Sequence, residues 1–160
     1  MNNTTPLVIQ EYNTFGSLIQ EYPLSGATTT QKLQYVKATG CLHILTNSHF
    51  FTKICNNFSV AVPAGPNYFA ANENYIALNM GEAKIKIYDA SSFTLMRTLN
   101  LTGYKDIELQ GEVLYYMKNG FLYQYHVTIG DFMHSVSSPL GDSTGLHFFN
   151  NGQQILMYHF

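Results

Sequence analysis

The sequence predicts an all-β fold, a small β-propeller of about four four-stranded antiparallel blades, and three observations carry that expectation. Short runs alternating apolar and polar residues, bounded by Gly, Asn, Pro and Ser, follow one another with scarcely any helical period. One signal recurs within them: an alternating strand ending in Tyr12-Asn13, Cys55-Asn56, Tyr88-Asp89 or Tyr125-His126, at intervals of 33 to 43 residues. That spacing brackets the roughly 40 residues of a four-stranded repeat. Finally, the pattern starts and stops in the middle of a unit, and the two partial units complement each other.

Let the strands of a unit be lettered A to D outward from an axis. Residues 7–24, LVIQEYNTFGSLIQEYPL, then read as a C–D pair around a polar turn. Residues 31–63 make a full A–B–C–D unit. Its approach, TTTQKLQYVKAT (28–39), is the one helix candidate, but it begins with three Thr and alternates equally well through Leu33, Tyr35 and Lys37. Residues 67–101 and 104–139 repeat the unit, and 143–159 supply A and B alone. The A–B pairs are QYVKATGCLHIL, YFAANENYIALN, IELQGEVLYYM and HFFNNGQQILMY. Their turns, Ala38-Thr39-Gly40, Asn72-Glu73-Asn74, Gln110-Gly111-Glu112 and Asn150-Asn151-Gly152, use the residues that tolerate positive φ. Pro23, Pro63 and Pro139 fall at the ends of D strands, where a missing N–H leaves no ladder bond unmade.

The expected organisation is a single domain, 1–160. Its blades are 31–63, 67–101, 104–139 and a composite of 7–24 plus 143–159, whose closure would remove exposed edges. The competing organisation makes the chain a fragment or subunit of a larger propeller, with copies joined head to tail.

With these units in place, the chain resembles a WD-repeat-type β-propeller. The matching position is the end of strand C, where that family carries Trp-Asp. Tyr88-Asp89 is the best copy here, and Tyr12-Asn13, Cys55-Asn56 and Tyr125-His126 are weaker relatives. The chain has no Trp and lacks the family's Gly-His pair, so the family's Asp–His–Ser–Trp network is not carried over. The resemblance implies an architecture and a role: a rigid platform that binds other proteins and seldom catalyses.

Composition narrows the function classes. The chain has 160 residues, 46% of them hydrophobic, with 12 Tyr and 11 Phe, enough for a core without a metal. Charged residues make up only 11%, against about 25% in ordinary soluble proteins. The net charge of −2 gives little repulsion between copies, which favours self-association. Eight scattered Lys and Arg offer no basic patch for a nucleic acid. No apolar run approaches the ~20 residues of a membrane span. MNNTTPLVIQ does not read as a signal peptide, so a cytoplasmic location is slightly favoured and the compartment otherwise open.

Candidate chemistry is sparse. A hairpin pairing 41–46 with 50–55 around Asn47-Ser48-His49 would set Cys41 opposite Cys55, within disulfide reach. The favoured reading is nonetheless two reduced, buried cysteines. The six His show no ligand spacing and the ten Asp and Glu form no calcium loop, so no cofactor or metal is expected. His43 and His147 read as core or outward residues. Asp89 reads as the cap of the turn Ala90-Ser91-Ser92. Nucleotide and nucleophile-elbow motifs are missing, and no catalytic residue is assigned.

The D–A and B–C loops should surround one mouth of the axis. They present His49, Glu82, Tyr104, Lys118, Asn119 and Asp142 as the candidate partner-binding face, with Tyr104 as an exposed anchor. The expected function is a non-catalytic scaffold or assembly component for protein–protein contact, whose partners are other proteins or copies of itself. The alternatives are a carbohydrate-binding propeller and part of a larger propeller that is enzymatic.

Overall fold

The structure is a computed structural model and describes residues 7–63, 68–81, 84–138, 145–149 and 154–158. Glu82, Asp142, Pro139, the loop Gly65-Pro66-Asn67 and the turn Asn150-Asn151-Gly152 lie outside the described residues. All regular structure among the described residues is β-strand, and every sheet is an antiparallel meander. No helix there is long and apolar enough to cross a membrane. The chain divides into two compact units, 1–66 and 67–160.

The first unit contains a two-stranded sheet, β1 (Leu7–Tyr12) with β2 (Leu18–Leu24). It also contains a four-stranded sheet, β3 (Thr30–Val36), β4 (Cys41–Thr46), β5 (His49–Lys53) and β6 (Phe58–Ala61). The helix candidate at 28–39 is therefore strand β3. Its β-branched opening and period-two pattern suit a pleated surface better than a helix. The core of this unit lies between the two sheets. Leu24, Ala27, Ile44 and Phe51 are buried there, with Leu7, Ile9 and Leu42 packed against them. Burying a side chain such as Ile44 or Phe51 contributes about 1.5–3 kcal/mol. β1 alternates half-buried and exposed along its length, as a strand with one covered face must.

The second unit holds two four-stranded sheets and one pair. The first sheet is β7 (Phe69–Ala71), β8 (Tyr75–Asn79), β9 (Lys84–Asp89) and β10 (Leu95–Asn100). The second is β11 (Ile107–Gln110), β12 (Val113–Lys118), β13 (Phe121–His126) and β14 (Asp131–Ser137), and the pair is β15 (Gly145–Phe149) with β16 (Gln154–Tyr158). β11 packs against β7 on one side and β15 on the other, so the first strands of successive sheets are neighbours. Burial then falls outward within each sheet: β8 is buried throughout, whereas β10 and β14 are largely exposed. This explains YIAL (75–78), an unbroken apolar run. A strand covered on both faces has no polar alternation to show.

Two cores fill the gaps between these sheets. Ala70, Ala77, Ile85, Ile87, Ile107, Leu109 and Leu114 meet in one, with Tyr116 stacked on Tyr123 at 5.0 Å. Met117, Leu122 and Leu146 form the other, where Tyr115 meets Phe148 edge to face at 4.6 Å. In the first unit β3 departs from the inner-strand expectation, because Leu33 and Tyr35 are exposed.

Candidate functional site

The recurring dipeptide proves to be a turn device. Asn13 Oδ1 accepts hydrogen bonds from the backbone N–H groups of Phe15 and Ser17, both at 2.9 Å. Asp89 Oδ1 accepts from the N–H groups of Ser91 and Ser92 and from both hydroxyls. Those bonds, the Ser91 hydroxyl foremost, pull its carboxyl down to about 2. His126 Nδ1 lies 3.0 Å from the Thr128 hydroxyl and accepts from the Ile129 N–H. The main-chain carbonyl of each cap also accepts a bond from a residue at positive φ: Gly16, Phe93 and Gly130. A register shift flanks each turn, with the extra residue on the D strand that follows it: Ile19, Met96 and Met133. One short acceptor side chain, with a bulge beyond the turn, thus closes three C–D turns.

The fourth turn departs, and corrects the equivalence of Cys55-Asn56. β5 ends at Lys53, and the ladder pairs Leu42 with Lys53, so Cys41 faces position 54 rather than 55. The expected register fails by one because the hairpin loop is only Asn47-Ser48, with His49 already in the strand. Aligned on the ladder, Lys53 occupies the place of Asp89 and His126. An ammonium has no acceptor to offer a turn N–H.

This turn closes by other means. The Cys55 N–H donates to the Lys53 carbonyl at 3.0 Å across Ile54, whose φ is 72°. That is a γ-turn with a β-branched residue in a region such residues rarely enter. It swings Cys55 back to Cys41, and the two are joined in a disulfide with a Cα–Cα distance of 4.9 Å. The favoured reading of two reduced cysteines is overturned. In the other full sheets the corresponding closure is a backbone bond, Ala90 N–H to Asn74 O and Val127 N–H to Glu112 O, both 2.9 Å.

At the opposite ends of the strands the D–A and B–C loops come together within each unit. In the first unit Asn47 Oδ1 accepts from the Thr28 and Thr29 N–H groups, and the Ser48 hydroxyl donates to the Gly26 carbonyl at 2.9 Å. His49 is not at a hairpin tip. It is half-buried beside Gly26, its Nδ1 3.0 Å from the Ser48 hydroxyl and its ring 5.5 Å from that of Phe51. In the second unit Lys118 Nζ donates to the Thr102 hydroxyl at 3.2 Å, and exposed Asn119 takes a φ of 51°.

Tyr104, expected to be exposed, is half-buried. Its ring meets Tyr68 edge to face at 6.1 Å, and burial pushes its hydroxyl far above the usual range. Buried Asp106 accepts the Leu146 N–H at 2.9 Å, tying β11 to β15. The loops thus bring His49, Tyr104, Lys118 and Asn119 to the rims of their own units. Two of the four are partly spent on packing.

His43 is a core residue. It is 1% exposed, 3.0 Å from the Thr52 hydroxyl and stacked on Phe50, and burial lowers its imidazole to about 4. His147 is exposed, 3.8 Å from Glu108. Among the described residues no three His, Cys, Asp or Glu are placed to hold a metal.

One feature of the first unit carries no sequence signal. A groove of about 460 Å³ runs between β2 and the γ-turn, lined by Gln20, Glu21, Tyr22, Pro23, Lys53, Ile54, Asn56 and Asn57. Its lining is tethered. Gln10 donates to Glu21 at 2.6 Å, the Tyr22 hydroxyl to Glu11 at 2.6 Å, and Lys53 to the Asn57 side chain. The Glu11 carboxylate, more than burial, holds the Tyr22 hydroxyl above its ordinary value.

No protein-family model matches the chain, and no curated protein does. Among solved structures it is similar to Sqt1 of Saccharomyces cerevisiae, a WD40 β-propeller, with a TM-score of 0.72 at 14% identity. The match covers 95% of this chain and 50% of that one, so the chain spans about half the length of Sqt1. At that identity the likeness speaks for the fold alone: all-β and propeller-like.

Proposed function

We propose that the chain is a non-catalytic, propeller-type platform that contacts other proteins, copies of itself included, through the rim where its D–A and B–C loops meet. The observation that carries this reading is the repetition of one plan in three four-stranded meanders, in a chain that superposes on a WD40 propeller. In such an architecture the sheets supply rigidity and the loops supply contact chemistry. The rim loops are short and tied by side-chain hydrogen bonds, so a partner would order little on docking. Low charge density leaves the rim free of strong repulsion.

Within this reading, β1–β2 and β15–β16 are the outer and inner halves of one sheet, which makes four blades in one ring. A two-stranded sheet alone is marginal in water, so each half gains from the other. The half-length match to Sqt1 favours a second reading, in which a second copy completes a larger ring. Native mass separates the two: a monomer of 18.1 kDa supports the four-blade ring, and a dimer supports the larger one.

The platform role is tested by affinity capture with the intact protein, a rim variant and a variant at the other end of the strands. A defined partner should bind wild type and Glu73→Lys but be lost with Lys118→Glu. Binding that ignores the rim change would contradict the proposal.

A further inference from the structure

The groove in the first unit sits away from the loop rim, at the C–D end of the sheet, and the proposed platform role leaves it unused. Three observations make it a built feature. Two of its lining side chains, Glu21 and Tyr22, are held by partners on the neighbouring strand β1, and Lys53 is tied to Asn57 within the turn. One wall, Lys53 to Asn57, is pinned at its middle by the Cys41–Cys55 disulfide. The lip residue Ile54 is kept at a φ of 72°, and backbone strain of that kind persists only where surrounding structure enforces it. The result is a fixed cleft rather than a soft loop surface, and fixed clefts lose little on binding.

The chemistry of the lining selects a ligand class. Gln20, Asn56 and Asn57 each offer both donors and acceptors, Glu21 only accepts, and Lys53 only donates. The one positive and one negative charge cancel, so neither a phosphate nor a metal cation is favoured. Pro23, Ile54 and the Tyr22 ring add apolar surface. A ligand that suits this set is uncharged, carries groups that donate and accept at once, and has an apolar C–H face. Those are the properties of a sugar ring.

We infer that this groove is a saccharide-binding site, holding the hydroxyl groups of one or two sugar units with Gln20, Glu21, Lys53, Asn56 and Asn57. The sugar's C–H face would rest on Tyr22, Pro23 and Ile54.

The test titrates the full chain, disulfide intact, with the methyl glycosides of glucose, galactose, mannose and N-acetylglucosamine, each to roughly 20 mM, following amide NMR signals. At least one glycoside should give saturable shifts of the Asn56 and Asn57 side-chain amides and the Ile54 backbone. Gln20→Ala and, separately, Asn56→Ala should weaken that binding about tenfold, the scale of one lost hydrogen bond, while the thermal transition stays cooperative. Gln20 is exposed, so at least that variant should fold. No saturable shift with any of the four, shifts confined elsewhere, or equal affinity in both variants overturns the assignment. A capped neutral tripeptide, Gly-Ser-Ala, is run beside them. If it moves the groove signals and the glycosides do not, the site takes peptides and the saccharide assignment falls.

Discussion

His43 shows how one side chain sets a property of the whole unit. Buried with its ring against Phe50 and Thr52, it titrates at about 4 instead of 6.5. Since the folded value is the lower one, the unfolded chain binds the extra proton between these pH values. Stability is therefore complete above about pH 6.5 and drains away as pH falls toward 4, by roughly 3 kcal/mol in total. Denaturant unfolding at about pH 7 and pH 4.5 should show the loss, and His43→Leu should flatten the slope between them. Equal slopes in parent and variant would contradict this account. Asp89 acts in the same direction but lower. Its folded value of about 2 preserves a contribution above the ordinary 3.8 that is lost as pH falls through 2, so the two windows separate. Asp89 was legible as a cap because Asp before Ala-Ser-Ser has a local reading. Ile54 was not, since nothing in the spelling of a β-branched residue announces a positive φ imposed by a neighbouring disulfide.

At the scale of elements, strands were easier to foresee than their registers. Five strand groups lie at 7–24, 30–61, 69–100, 107–137 and 145–158, where alternation and turn residues give local signals. The 41–55 register differs by one residue from the expected one, because it depends on whether His49 belongs to the loop or the strand. Dipeptide spelling likewise misaligned Cys55-Asn56 with the capped turns, where ladder pairing selects Lys53. The disulfide that replaces the missing cap closes a sequence separation of 14 residues, for which loop entropy gives about 3 kcal/mol. Dithiothreitol should lower the melting temperature of the parent and leave Cys41→Ser/Cys55→Ser unchanged; equal sensitivity of the two would contradict the bond. Between the β9–β10 sheet and the β13–β14 turn, Arg97 donates to the Thr128 carbonyl at 3.0 Å and lies against Gly130. Gly130 has a φ of 87°, and an added Cβ would fall 1.8 Å from the Arg97 guanidinium, a flexible tip that must swing aside and give up the Thr128 carbonyl. Gly130→Ala is expected to destabilise the protein by about 1–3 kcal/mol in urea, whereas Gly16→Ala, with open space around it, should cost less.

At the scale of the molecule, the two-stranded sheets decide how the repeats are used. Val8, Leu18 and Ile19 on one and Leu156 on the other are exposed apolar residues on two-stranded sheets, which alone are marginal in water. Composition and repetition made the propeller-like class legible. The groove was not, because Gln20 and Asn56 are far apart in the chain and become neighbours only through the packing of β2 on the β5 turn. The proposed ring rests on β1 pairing with β16 in the same chain. The direct measurement places cysteines at Val8 and Leu156 in the Cys41→Ser/Cys55→Ser background and treats the protein with a short bismaleimide. Pairing of β1 with β16 should give an internally linked monomer at 18.1 kDa plus the linker. A product linked only between chains, or no link at all, would contradict it.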